Sequence, residues 1–379
     1  MYLVYCIVDA IKGSAKLLRC SRMTVIGRGI KDCKHFGMEE NMTTIKDIAA
    51  RLGLSPSTVS IVLKGNGDRR KIKKETQQRI LKAAREMGYK PNIQAKILRG
   101  SLSAKANISL YWVSDNRIHL LSRFLKGLQT AIMENNYQFQ LSIVPYENNH
   151  LQDVLTNESV LTTNAIIICN PSETDMEYLE ANDFHIPIVL YNRYSSKYAT
   201  VNMDDKTIGL LPADIFAAHG KKHPALLKSP ATFSGMNIRT NVFEFQVSES
   251  AMERPVSVMV DDTMRGGYLG ALTLCDLNPL PDCLFCTSDS IALGALKAFY
   301  EKGIRIPEQI EIISVGSGRP EQEEYCIPSL SVISLPLEDM AEECLRILSD
   351  SLTNFKYTPA SITFPTPYVA RQSCPALIQ

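Results

Sequence analysis

Between Ser55 and Lys64 the chain reads SPSTVSIVLK, with hydroxyls at Ser55, Ser57, Thr58 and Ser60 and an ammonium at Lys64. Hydroxyls accept and donate hydrogen bonds, and an ammonium attracts anions, so the set suits holding a charged, polar partner. Val59, Val62 and Leu63 recur at helical spacing and turn inward, leaving Pro56, Ser57, Ser60, Ile61 and Lys64 toward solvent. A helix N-terminus carrying such donors can hold phosphates while the outward side chains meet base edges in a major groove.

Other groups able to do chemistry are scattered. The sequence contains no G-x-S-x-G elbow, Walker loop or H-E-x-x-H pair. Cys283 and Cys286 have C-x-x-C spacing, but they lie in the apolar run PDCLFC and no second Cys/His pair stands nearby, so strand packing is expected and neither a metal nor a cofactor. Asp261-Asp262 reads as solvated surface. Asp289, in TSDS, follows a strand and opens a helix, a place where a carboxylate can accept two hydrogen bonds from vicinal hydroxyls. These features give no enzyme.

The elements that position the hydroxyl helix are legible. Thr44 precedes IKDIAARL as an N-cap, with Asp47 in the capping-box position. Ile45, Ile48, Ala49 and Leu52 form one apolar face, and Gly53 ends the helix. Ser55 caps the next helix, with Pro56 in its first turn. Two short helices joined by a tight Gly turn make a helix-turn-helix. KKETQQRILKAAREMGYKPN supplies a third helix, with Ile80, Leu81, Ala84 and Met87 inward and Gly88 at its end; the loop GNGDRRKIKK before it is strongly basic. Pro91-Asn92 opens a last short segment in which Ala95 and Leu98 share one side.

Charge divides the chain. Residues 42–105 hold 15 basic and 4 acidic side chains, whereas residues 106–379 hold 19 and 32, within an overall formal charge of +1. A basic head on an acidic body suggests a polyanion-binding module joined to one that would not bind polyanions. Ten cysteines without regular pairing fit a reducing compartment. No stretch approaches the ~20 apolar residues needed to span a membrane, and the apolar start MYLVYCIVDAI lacks the basic flank and cleavage site of a signal peptide. A cytoplasmic protein with no membrane partner is expected. Residues 1–41 show no periodicity and are expected to be a disordered or spurious extension, with the working protein beginning near Met38 or Met42.

From Ala106 onward short apolar runs (NISLYWV, YQFQLSIV, AIIIC, IPIVLYN, PALLK, PVSVMV, CLFC, EIISVG) alternate with amphipathic helical patterns such as LSRFLKGLQTAIMENN. Such alternation predicts parallel sheets with crossover helices, and the length predicts two lobes with a ligand crevice at the strand C-termini.

TIKDIAARLGLSPSTVS and ETQQRILKAAREMGYKPN resemble the DNA-binding head of the lac repressor/galactose repressor (LacI/GalR) family, and NAIIICNPS, VNMDDKTIG, TSDSIALGALKAFYEKG and PSLSVISLPLEDM resemble that family's effector-binding core. The resemblance spans residues 43–370. It implies an all-α helix-turn-helix head (42–90), a hinge helix and linker (91–105), and an α/β two-lobed, periplasmic-binding-protein-like domain (106–379). By resemblance Pro56, Ser57 and Ile61 read bases, while Ser55, Thr58, Ser60 and Asn92 hold phosphates. Leu98 is levered into the minor groove, and Thr44, Lys64 and Ala95 complete the DNA set. Arg239, Asp204, Asn192 and Arg193 match cleft-lining positions and join Asp289 as the expected effector site. The chain crosses between lobes three times in that family, which implies one lobe of 106–217 plus 335–355 and another of 218–334 plus 356–371.

The implied function is a repressor that binds a palindromic operator in double-stranded DNA as a homodimer and is switched by a small ligand, with sugars the family's commonest effectors. The end ALIQ lacks a Leu heptad, which favours a dimer over a zipper-joined tetramer. Three departures bear on this. Ile61 replaces the family's usual Arg, the family's Asn-Pro-Phe-Phe reads Ile118-His119-Leu120-Leu121, and Gly316-Ser317 and Leu335 stand where GFDD and Gln are usual. The alternatives are a body that answers a protein partner or a non-sugar ligand, and a solute-binding protein, which would need a secretion signal and no DNA head.

Overall fold

The structure is a computed structural model that describes residues 43–63, 67–87, 89, 105–115, 118, 120–316, 318, 320–354 and 359–377. Residues 1–41, Lys64, Gly88, Asn92, Ala95, Leu98, His119 and Ser317, and the hinge before Lys105, lie outside the described residues.

Three helices make the head: α1 (Ile45–Leu52), α2 (Pro56–Leu63) and α3 (Lys74–Glu86). The capping box forms as the sequence implies. The amide of Asp47 donates to Thr44 Oγ1 at 3.3 Å and the Thr44 amide donates to the Asp47 carboxylate at 2.8 Å. Gly53, at φ +66°, closes α1 in the left-handed conformation. Ile48, Ala49, Val59, Val62, Leu63, Ile80, Ala83 and Ala84 form one buried cluster, so the apolar spacing of the sequence is the spacing of the core. Asp68 anchors the turn before α3 by accepting from Lys74 Nζ at 2.8 Å and Gln77 Nε2 at 2.9 Å, which leaves Arg69, Arg70 and Lys71 exposed.

The body follows as β1 (Ala106–Val113), α4 (Leu121–Glu134), β2 (Phe139–Tyr146), two single-turn helices α5 (Leu151–Val154) and α6 (Asn157–Val160), β3 (Ala165–Cys169), α7 (Glu173–Ala181), β4 (Ile188–Tyr191) and β5 (Ala199–Met203). Then come α8 (Asp205–Ala218), β6 (Pro224–Lys228), α9 (Ser234–Glu249), β7 (Val256–Met259), α10 (Met264–Cys275), β8 (Cys283–Cys286), α11 (Asp289–Glu301), β9 (Glu311–Gly316), α12 (Pro320–Tyr325) and β10 (Ser331–Ser334). The last elements are α13 (Leu337–Asn354), β11 (Ser361–Phe364) and β12 (Tyr368–Val369). Two six-stranded sheets result, ordered β11-β5-β4-β3-β1-β2 and β12-β10-β9-β8-β6-β7. Every pairing is parallel except that of β10 with β12. Parallel strands need helical crossovers, and the apolar runs AIIIC and CLFC are buried throughout because helices cover both faces.

Two of the expected lobe boundaries are corrected. Helix α8 packs along α9 of the second lobe rather than staying with the first. The contact is close: a Cβ on Gly209 would meet the Arg239 carbonyl oxygen at 2.1 Å, so the first crossing falls at Asp204 and not at 217. Strand β11 belongs to the first sheet, in register with β5 from Ser361 opposite Thr200 to Phe364 opposite Met203, so the third crossing falls at 365–367 and not at 355. The middle crossing, at 335–336, stands as expected.

Trp112, Phe124 and Tyr191 meet in the first lobe, with ring centroids 5.5 Å and 4.8 Å apart from Phe124, and Leu120, Leu335, Leu337 and Met340 continue the same buried cluster. Aromatic pairs at these separations add to the burial of their area.

Candidate nucleic-acid interface and ligand cleft

Ser55, Pro56 and Ser57 are exposed at the start of α2, and Thr58, Ser60 and Ile61 are half-buried beside the buried Val59 and Val62. The Thr58 amide donates to Ser55 Oγ at 3.1 Å, so Ser55 caps the helix, and Ser55 Oγ also lies 2.8 Å from Thr58 Oγ1. Each hydroxyl keeps hydrogen-bonding capacity on the exposed side. Thr44 is exposed, but its hydroxyl donates to Asp47 at 2.7 Å and is held in the capping box. These bonds keep the Asp47 carboxyl below the usual carboxylate range.

A cavity of about 400 Å³ opens between the lobes. One wall comes from Glu173, Met176, Glu177 and Glu180 of α7 with Asn192, Arg193 and Tyr194 after β4; the other comes from Asp205 with Phe233, Ser234, Gly235 and Ile238. Asn192 takes φ +60° just past β4, and its Nδ2 donates to Asn170 Oδ1 at 3.2 Å. Arg193 donates through Nε to the Pro171 carbonyl and through Nη1 to that of Asn192, and its guanidinium carbon lies 4.4 Å from the centre of the Phe233 ring. A cation on one lobe thus rests on an aromatic ring of the other, a contact of about 0.5–2 kcal/mol.

The remaining expected effector residues fall otherwise. Asp204 caps α8, accepting from the Lys206 and Thr207 amides at 3.1 and 3.2 Å and from the Thr207 hydroxyl at 2.6 Å. Burial opposes its charge, but the Thr207 and Lys206 hydrogen bonds hold the carboxyl below the usual range. The cap removes Asp204 from the cavity wall, and its neighbour Asp205 takes that place. Arg239 spends its fork on Asp205, with Nε at 2.8 Å and Nη2 at 2.7 Å, and both side chains are over nine-tenths buried. Asp289 is buried at the start of α11, accepts from the Gly318 amide at 2.7 Å, and is not among the residues lining the cavity. Of the Asp261-Asp262 pair, Asp261 is exposed as expected, whereas Asp262 is half-buried and accepts from the Ser288 hydroxyl that caps α11.

Three buried side-chain atoms have no hydrogen-bond partner among the described residues and lie near the C-terminal ends of the first sheet's strands: Trp112 Nε1, Asn170 Nδ2 and Asn202 Oδ1. A buried polar group left unpaired costs about 1–3 kcal/mol, and none of these three side chains is among those lining the cavity. The sheet edge they occupy is where open α/β sheets bind ligands.

Sequence reasoning missed Phe233, the carboxylates of α7 and Arg123. Arg123, on α4 of the first lobe, donates to Glu338 at 3.0 and 2.7 Å, to the Leu335 carbonyl at 3.0 Å and to the Gly318 carbonyl at 3.3 Å. It links the first lobe to a loop of the second and to the middle crossing. Glu173, Glu177 and Glu180 recur at helical spacing, a signal that was available; what Arg123 reaches depends on residues some 200 positions away. At the departed positions, Leu120 and Leu335 are buried in the apolar cluster and Ile118 is 49% exposed.

A three-helix head presenting a hydroxyl-lined helix, on a two-lobed body with a cavity between the lobes, is the architecture of a DNA-binding regulator joined to a periplasmic-binding-protein-like body. Residues 44–92 match bacterial regulatory proteins of the lacI family, and residues 213–374 match the periplasmic binding protein-like domain. The chain is 32% identical to a LacI family transcription regulator from Clostridium acetobutylicum whose crystal structure covers 70% of this chain and 100% of its own, with a TM-score of 0.67. It is 25% identical over 346 residues to the HTH-type transcriptional repressor MelR of Bacillus subtilis, covering 88% of this chain and 98% of the relative. The fold, at 19% identity and a TM-score of 0.63, is also that of the lac repressor dimer bound to operator and an anti-inducer, over 89% and 100% of the two chains. The protein belongs to the LacI family and is a DNA-binding transcriptional repressor rather than an enzyme. Among the described residues no helix is long and apolar enough to cross a membrane.

Proposed function

We propose that the protein represses transcription in the cytoplasm by gripping a palindromic operator as a homodimer, and that a small ligand of the carbohydrate class, held between the lobes, switches it. The observation that carries this reading is the cavity walled by both lobes, because a ligand touching both stabilises one lobe arrangement over another by its differential affinity. In this reading residues 42–90 hold the operator, 91–105 form the hinge and 106–379 bind effector and partner. Pro56, Ser57 and Ile61 meet base edges. Thr44, Ser55, Thr58, Ser60, Lys64, Asn92 and Ala95 serve the backbone, and Leu98 wedges the minor groove. Asn192 and Arg193 meet the ligand with Asp205; Arg239 holds Asp205 in place, Asp204 fixes the start of α8, and Asp289 acts through the Gly318 loop.

Dimer formation is supported by exposed apolar side chains on neighbouring elements of the second lobe. Val256 and Met259 lie on edge strand β7, Phe245 on α9, and Met264 and Leu269 on α10. An uncovered apolar edge of this kind invites pairing.

A second reading, an effector that is not a neutral sugar or is a protein, draws on Leu120 and Leu335, which are apolar and buried where the family resemblance implies ligand contacts, and on the three glutamates along one cavity wall. Genomic fragments retained by the protein at about 0.15 M salt, where nonspecific phosphate binding is weakened, test the first half of the proposal. A recovered palindrome supports it, and no preferred sequence with or without candidate ligands overturns it. A thermal-shift panel of sugars tests the second half, because binding to the folded state alone adds about 2.7 kcal/mol at a hundredfold excess over Kd.

A further inference from the structure

Away from the cleft, at the opposite end of the second sheet, three side chains of different chemistry converge. His219 caps the C-terminal end of α8, Glu311 opens β9, and Cys374 lies in the C-terminal segment bridged to Arg371. His219 Nδ1 is 2.8 Å from Glu311 Oε2, Cys374 Sγ is 3.3 Å from the same oxygen, and Sγ and Nδ1 are 4.0 Å apart. All three ligand atoms fall within 4.8 Å of one another, and the side chains are nearly buried.

We propose that His219, Glu311 and Cys374 form a binding site for a zinc-like divalent cation.

Imidazole, thiolate and carboxylate together suit a borderline-soft ion. Tetrahedral ligands held at about 2.0–2.3 Å from such an ion stand roughly 3.3–3.8 Å apart. The observed triangle reaches that spacing by small side-chain shifts, opening between His219 and Glu311 and closing between His219 and Cys374. Three protein ligands leave the fourth position to water. Lys221 strengthens the case: its Nζ lies 3.1 Å from Glu311 Oε1, whereas His219 and Cys374 contact Oε2. A partner on the other oxygen orients a ligating carboxylate, and the ammonium leaves Oε2 as the donor.

Without metal, burial pushes the Cys374 thiol up to about 12, so it is protonated and donates to Glu311. On binding, the metal–sulfur bond replaces the sulfur–hydrogen bond and the metal–nitrogen bond replaces the Nδ1–H bond that His219 donates to Glu311; the thiol proton leaves to solvent, and the Nδ1 proton passes by way of solvent to Nε2, leaving a neutral imidazole on the metal. The site would join three segments distant in sequence. The C-terminal segment is already laced to β9, with Ser373 Oγ donating to the Ile312 carbonyl at 2.7 Å and the Ile312 amide donating to that of Ser373 at 2.9 Å. Metal would add α8 to this pair, fixing the far end of the helix whose near end, Asp205, lines the cleft.

The test is titration of the chelator-treated, reduced full-length protein with Co²⁺, followed by Zn²⁺. The expected result is one equivalent of Co²⁺ with a sulfur-to-metal charge-transfer absorption, displaced by Zn²⁺, and a rise in melting temperature on metal addition. Cys374→Ser should abolish that absorption, and His219→Gln should weaken Co²⁺ binding roughly tenfold or more. Failure to bind, binding without the sulfur band, or a band that survives Cys374→Ser overturns the proposal. If Cys374→Ser does not fold, unchanged affinity in folded His219→Gln overturns it equally.

Discussion

Removing the Arg239 guanidinium should unfold the second lobe more readily than it weakens ligand binding. Arg239 and Asp205 meet at 2.7 Å with side chains 9% and 8% exposed, so Arg239→Met leaves a carboxylate buried beside Phe233 and Gly235 without its counter-charge. Breaking one side of a buried pair costs about 3–5 kcal/mol, whereas replacing both members is often close to neutral. With a urea slope of about 1–3 kcal/mol per molar, the midpoint falls by at least roughly 1 M. The assay is a double-mutant cycle of Asp205→Asn and Arg239→Met by urea unfolding. The double variant should lose several kcal/mol less than the sum of the singles. A cost below about 1 kcal/mol for Arg239→Met, accompanied by loss of ligand response, would refute the argument and return Arg239 to direct ligand contact.

Gly209→Ala should lower the melting temperature of the body sharply, because its Cβ would meet backbone at 2.1 Å rather than a movable side chain; an unchanged melting temperature would mean that α8 and α9 separate at no cost. Ile61→Arg should gain preference for one guanine in the half-site, about 1–3 kcal/mol by competition binding, and an unaltered preferred sequence would place residue 61 away from base edges. Thr44→Ala should cost the head about 1 kcal/mol through its lost cap. Asp47 is held below its ordinary range by Thr44, so its contribution is present above the unfolded carboxylate range and is lost as pH falls through the lower, folded value. A head whose acid sensitivity is the same in wild type and Thr44→Ala would contradict that assignment.

Local rules carried the head almost whole. Thr44, Asp47, Gly53 and Ser55 sit where capping chemistry requires, and the positions read as inward, Ile48, Val59 and Ile80, are fully buried. The body's strands were legible wherever burial on both faces made an apolar run, as at AIIIC and CLFC. Strand β11 was not, because its residues alternate in exposure along an edge and its place is set by pairing with a strand some 160 residues earlier. The same limit governed the cleft. Asp204 and Asp205 are equivalent in composition, and only the geometry of the helix start decides which one caps and which one faces the cavity. Arg123 carries no local signal at all, since its partners at 318, 335 and 338 are brought to it by the fold.

The lateness of β11 bears on how the chain leaves the ribosome. Strand β5 emerges just after its neighbour β4, yet the strand that completes its other edge is translated some 160 residues later. At about 5–20 residues per second that edge stays open for roughly 8–30 s. During that interval the nascent first lobe presents unpaired amides and carbonyls along ATVNM to every other growing chain on the same message. Slowing translation after residue 203 should therefore raise co-translational aggregation, and supplying residues 359–366 in trans should relieve it.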